Sequence, residues 1–113
     1  MLIRAAERPE VDAPVDDLVM RALVTAADGA GLSLTQVRLS GRHRPLRTAR
    51  SDRTYYVVDG SAEFVVGDAE PVRAQAGDVV VVPRGERYSL EGELTYLVLN
   101  VPPYVEGDDL YDE

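Results

Sequence analysis

The sequence predicts an all-β protein, a sandwich or barrel of short strands formed by one domain. Apolar, β-branched runs recur along the chain, and turns bearing glycine or proline separate them at regular spacing. No long amphipathic helical pattern interrupts them. With 113 residues the chain can bury one core without disulfides or a structural metal.

Residues 1–17 combine an apolar start (Leu2, Ile3) with Pro9 and Pro14, which remove ladder donors, so an extended arm or edge strand is expected there. Residues 20–26 (MRALVTA) and 32–39 (LSLTQVRL) flank Asp28-Gly29-Ala30-Gly31 and read as a hairpin. Residues 18–27 also have helix propensity, and the adjoining hairpin decides for strand. Residues 55–59 (YYVVD) and 62–66 (AEFVV) are expected to be two strands around Gly60-Ser61. The four valines at 79–82 suit a central strand covered on both faces, ended by Pro83 and Gly85. Residues 94–101 (LTYLVLNV) form the last long strand, stopped by Pro102-Pro103. The barrel therefore spans about residues 20–101, and residues 102–113 form an acidic tail. Its end, EGDDLYDE, reads as a solvated terminus, with an acidic strap over an arginine-rich surface as the alternative.

Composition narrows the function classes. A net charge of −8 argues against a nucleic-acid partner, since phosphate binding needs a basic face. There is no cysteine, hence no disulfide framework, no thiolate site and no redox signal. No apolar run reaches the length of a membrane span and no signal-peptide core is present, so no membrane association and a cytoplasmic location are expected.

Two glycine-framed stretches carry the most specific pattern: GRHRPLRTARSDRTYYVVDG from Gly41 to Gly60, and GDVVVVPRGERYSLEG from Gly77 to Gly92. Their frame, including Pro83 and Gly85, resembles the paired motifs of the cupin superfamily. The resemblance implies a double-stranded β-helix, or jelly-roll, barrel. Counted from Gly41, the family's metal-ligand slots fall on Arg47, Ala49 and Arg53, with Tyr88 in the second motif. Guanidinium, methyl and phenol groups are not divalent-metal ligands, so neither a metal nor another cofactor is expected. The resemblance also implies an N-terminal arm packed on a partner subunit. A homodimer is expected, with outward valines (Val80 and Val82 or their alternates) covered by the second copy.

In the family's fold the ligand slots point into the barrel, so residues in phase with them line its interior. Arg53 is in phase with Tyr55 and Val57, and Tyr88 with Leu90; Phe64 is assigned to the same interior. Tyr88 and Tyr55 are the candidate acid–base residues, and an adjacent guanidinium is expected to lower the Tyr88 pKa. Arg53, Arg47, Arg38, Gln36 and Phe64 are the candidate substrate-binding residues. Six of the twelve arginines lie between positions 38 and 53, and an anionic substrate or a protein carboxylate would balance a buried one. His43, the single histidine, reads as a solvent-exposed loop residue. The fold leaves three function classes open. The first is a metal-independent enzyme performing isomerisation, epimerisation, dehydration or cyclisation of a small anionic molecule. The others are a ligand-binding module and a structural dimeric barrel.

Overall fold

The structure, a computed structural model, describes residues 1–111. Its strands are β1 (Glu10–Ala13), β2 (Leu18–Val24), β3 (Ser33–Thr48), β4 (Asp52–Val66), β5 (Val72–Gln75), β6 (Val79–Val82), β7 (Tyr88–Val101) and β8 (Asp109–Tyr111). Among the described residues helical structure is confined to short 3₁₀ turns at Ala5–Glu7, Pro14–Asp16 and Ala26–Asp28. The pairing is antiparallel throughout, in the order β1-β2-β3-β7-β4-β5, with β6 on β4 and β8 on β3.

Three long strands, β3, β7 and β4, serve both halves of the barrel. The first half of β3 pairs with β2, and its second half with β8. Likewise β6 takes the first half of β4, and β5 the second. The switch occurs where Gly41 faces Gly92 and Gly60 faces Leu94. Gly60 has φ +80° and Gly92 φ +156°. A Cβ on Gly60 would strike the carbonyl oxygen of Glu93, and one on Gly92 that of Ser61. The glycine frame is thus a device for bending adjacent strands at close approach. Because β4 stays paired with β7 through the bend, with one bulge between Val57 and Asp59, residues 52–66 form one strand and not a hairpin around Gly60-Ser61.

The core lies between the two halves. Val37, Leu39, Leu46, Val57, Phe64, Val82, Leu90 and Leu94 are buried, together with Tyr55, Tyr88 and Tyr96. Burial of each large apolar side chain contributes about 1.5–3 kcal/mol.

Two expectations are corrected. Strand β6 is an edge paired only with β4, and Val79 and Val81 are 56% and 61% exposed. Its alternation turns Val80 and Val82 toward the core and Val79 and Val81 outward, so the outward pair is the alternate one and the apolar run reflects an uncovered face and not a central position. The acidic tail is no frayed terminus as far as residue 111. It folds back as β8, whose pairing with Leu46–Thr48 satisfies the backbone of that segment. Residues 112 and 113 lie outside the described residues. At the other end, β1 pairs with β2 of its own chain, while Met1 and Leu2 remain exposed.

The bend at Gly60 sets a testable limit. A glycine-to-alanine change at an unconstrained position stabilises a protein by about 0.4–1 kcal/mol. Gly60→Ala is expected instead to destabilise by at least about 2 kcal/mol, combining a left-handed backbone with a backbone collision. Urea denaturation of parent and variant measures the difference.

Candidate functional site

One end of the barrel interior is polar. On β4 the alternation turns Arg53 and Tyr55 inward, and on β7 it does the same for Tyr88, Tyr96 and Asn100. Arg53 is 5% exposed, and the three nitrogens of its guanidinium donate to separate partners. Nε reaches Asn100 Oδ1 at 3.0 Å, Nη1 the Tyr88 hydroxyl at 2.7 Å, and Nη2 Asp109 Oδ1 at 2.7 Å. Burial works against the charge, and the contacts with Tyr55, Tyr88 and Asp109 hold Arg53 in its charged form.

The Tyr88 hydroxyl also lies 2.6 Å from that of Tyr55. Since the Tyr88 oxygen accepts from Arg53, its own proton is directed to the Tyr55 oxygen. The reverse order would leave the Tyr88 proton without an acceptor among the described residues. The Tyr55 proton is then free for a bound molecule. Tyr55 lines the cavity at this end of the barrel, whereas Tyr88 stands behind it. Burial pushes both phenols up from their ordinary pKa and outweighs the nearby guanidinium, correcting the expected fall at Tyr88. Both are hydrogen-bond donors at neutral pH.

His43 is the residue the sequence reading missed. It is 7% exposed, sits on β3 and lines the same cavity as Arg53 and Tyr55. A bulge between His43 and Leu46 places one extra residue on β3 relative to β7. The bulge brings the Arg44 carbonyl to 2.9 Å from His43 Nδ1. A carbonyl only accepts, so in the neutral ring Nδ1 carries the proton and Nε2 keeps its lone pair. No described residue is bonded to Nε2. Burial, aided by Arg53, pushes the imidazole below its ordinary pKa.

The same bulge shifts the slots counted from Gly41. Beyond it Leu46 and Thr48 are buried, and Arg47 and Ala49 face solvent. The inward positions are therefore Leu46, Thr48, Arg53 and Tyr88, and the Thr48 hydroxyl is spent on the Ser51 carbonyl. This donor set does not fit a divalent metal. Among the described residues no three His, Cys, Asp or Glu side chains converge as a metal site.

The remaining sequence candidates lie apart from the cavity. Arg38 is exposed and pairs with Glu10 at 3.3 Å, in a surface groove that Gln36 also lines. Phe64 is wholly buried and supports Tyr55 edge-on, with centroids 5.4 Å apart.

The cavity encloses about 160 Å³. Leu18, Met20, Val37 and Val98 form its apolar wall; His43, Arg53, Tyr55, Asn100 and Asp109 its polar end. Tyr104 and Tyr111, both partly exposed, stand at the mouth. The Tyr111 ring stacks on His43 at 6.2 Å, and the Arg44 guanidinium lies 3.9 Å above it. The polar end thus offers a neutral base, a neutral hydroxyl donor and a paired cation.

Comparison with known structures finds the same fold. The nucleoside dehydratase Pac13, also solved from Streptomyces with uridine bound, superposes with a TM-score of 0.85 at 22% identity, covering 100% of this chain and 91% of that one. Ectoine synthase from P. lautus gives 0.82 at 17% identity, over 100% of this chain and 90% of that one. KdgF from Halomonas sp. gives 0.79 at 20% identity, over 92% and 96%. At such identities the likeness is one of fold. No curated protein matches the sequence. The family profile described as Cupin matches residues 19–108. A jelly-roll barrel framed by these glycines and matched over most of its length places the chain in the cupin family.

Proposed function

We propose that the chain is a metal-independent cupin enzyme that removes water from a small, nucleoside-like molecule by acid–base chemistry. One observation carries the reading: an unprotonated imidazole nitrogen and an unionised phenol proton, on His43 and Tyr55, meet in one cavity with a buried guanidinium behind them. Pac13, which shares the fold, is a nucleoside dehydratase, and variants of it with one histidine changed to glutamine or one tyrosine changed to phenylalanine were solved with uridine. That likeness supports the substrate class and the reaction type.

Imidazole needs an adjacent electron-withdrawing group to acidify a carbon-bound proton before it can remove it, and in this reading that group is a carbonyl. His43 Nε2 takes that proton and the electron pair moves onto the carbonyl oxygen. The Tyr55 hydroxyl donates to this oxygen, with Tyr88 and Arg53 stabilising the charge through the relay. Collapse of the enolate expels the hydroxyl on the next carbon. That hydroxyl takes the proton from the His43 imidazolium and leaves as water, returning the base to its starting state. A cavity of about 160 Å³ resembles one that holds a benzene-sized molecule. A sugar ring therefore fits inside, and an attached base lies at the mouth beside Tyr104 and Tyr111.

Water loss from candidate β-hydroxycarbonyl nucleosides, followed by mass spectrometry with chelator present, is the direct test. His43→Gln is expected to lower kcat on the order of 10²–10⁴-fold while the melting temperature changes little. Because only the neutral imidazole is a base and its pKa is depressed, activity is present above that pKa and lost as pH falls through it. The midpoint of this acid limb is expected below 6.5. A midpoint at or above 6.5, or an unchanged rate in the variant, would refute the assignment.

The two tyrosines are distinguished by rank. Tyr55→Phe removes the donor that touches substrate and is expected to cost about 10²–10³ in kcat. Tyr88→Phe removes only its relay and is expected to cost less. Equal losses, or the reverse order, would move the donor to Tyr88.

We also propose a homodimer formed through the outer face of the β2-β3-β7-β4-β6 layer. Val79, Tyr56 and Leu97 lie in one row across it, and Val81, Thr54, Leu99 and Leu34 in the next. These rows are uncharged from β6 to β3, while Arg21 on β2 and Arg38 in the neighbouring row are paired with Glu10, and such a patch can be self-complementary across a two-fold axis. Sedimentation is expected to show a dimer at micromolar concentration and a monomer for Val81→Glu. A monomeric parent would contradict the proposal.

A further inference from the structure

Building on that reading, we infer that Asp109 is a charge filter that restricts the cavity to uncharged ligands. The arginines near the mouth look, in sequence, like an anion trap. Each of the three with a carboxylate partner is neutralised from within the chain. Arg44 pairs with Asp16 at 3.1 Å, Arg50 with Asp108 at 2.9 Å and Arg53 with Asp109 at 2.7 Å. Of these, only the Arg53–Asp109 pair lines the cavity on both sides, with side chains 7% and 13% exposed.

Asp109 is held there by backbone as well as by charge. It is the first residue of β8 and pairs with Thr48. Its neighbour Asp108 is anchored by the Arg50 pair, while the Asp108 carbonyl accepts from the Ala49 amide at 2.8 Å. The carboxylate is thus presented to Arg53 at fixed position by the strand itself. An incoming phosphate or carboxylate would have to compete with a tethered anion at high effective concentration. If Asp109 stayed in place, the ligand would meet a like charge in a partly desolvated space. Of the other Arg53 nitrogens, Nε already donates to Asn100 and Nη1 to Tyr88. A neutral hydroxylated ligand meets neither obstacle and can use Tyr55 and His43. The anionic substrate expected from the arginine cluster is therefore replaced by a neutral one, and Asp109 is the residue that enforces the difference.

The test uses uridine, uridine 5′-phosphate and inorganic phosphate as probes in calorimetric titrations of the full chain. In the parent, uridine is expected to bind at least about tenfold more tightly than its 5′-phosphate, and inorganic phosphate not at all below millimolar concentration. Asp109→Asn is expected to reduce the preference for uridine over its phosphate at least about tenfold and to create a phosphate site. The second change in Asp109→Asn/Arg53→Met should abolish that site. Phosphate binding by the parent equal to that of the variant, or equal affinities of parent for the two nucleosides, would overturn the inference. So would a folded Asp109→Asn protein whose preference is unchanged. If that variant does not fold, the parent's preference and its phosphate titration decide alone. Failure of uridine to bind, with phosphate gained on Asp109→Asn, sinks the nucleoside reading and leaves the filter standing.

Discussion

A guanidinium inside a barrel must be surrounded by acceptors or it unfolds its surroundings, and the site is arranged around that demand at Arg53. Its acceptors come from distant parts of the chain: Tyr88 near the start of β7, Asn100 near its end, and Asp109 on the C-terminal strand. Tyr88 and Asn100 belong to the two arms of a strand bent near Gly92, so Arg53 bridges the barrel interior from one arm to the other. Stranding a buried charge of this kind costs about 3–5 kcal/mol. The same contacts that keep Arg53 charged also fix the Tyr88 hydroxyl, and through it the direction of the Tyr55 proton. Stability and chemistry draw on one set of hydrogen bonds.

Burial then sets the protonation states around it. It pushes imidazole down and phenols up, so His43, Tyr55 and Tyr88 are all uncharged near neutrality. An acid–base pair with both partners neutral can abstract a proton and support the resulting oxyanion without first exchanging protons with solvent. The apolar wall opposite strengthens that support by excluding water.

The fold was legible because glycine positions and strand alternation are local properties. The frame from Gly41 to Gly92 marks bends that only glycine tolerates, and alternation placed Arg53, Tyr55, Tyr88 and Leu90 on inward positions. What could not be read was parity across a bulge. One extra residue after His43 turns Leu46 and Thr48 inward in place of Arg47 and Ala49. His43 itself looked like a loop residue because Arg42 and Arg44 flank it. Exposed arginines on both sides of a buried residue are the alternation of a strand, and that signal was available. The role of Asp109 had no local signal. Its carboxylate reaches Arg53 across 56 positions of sequence, and an acidic tail by itself reads as solvated.

Replacing metal ligands by Arg53 and Tyr88 changes what the barrel can ask of a substrate. A Lewis acid bound directly to a carbonyl can acidify a weakly activated C–H; a hydroxyl donor backed by a guanidinium contributes less, about 2.7–4 kcal/mol per donor of this kind. In the proposed dehydration the substrate would have to bring more of its own activation, through a carbonyl already adjacent to the reacting carbon. A reactive carbonyl of that sort is vulnerable to water, which favours a small cavity with aromatic residues at its mouth. Strand β8 supplies one of those, Tyr111, on the segment that also carries Asp109. One aromatic residue of the mouth and the carboxylate that neutralises Arg53 are therefore carried by one three-residue strand, Asp109–Tyr111. The proposed chemistry of the interior would depend on β8 being in place.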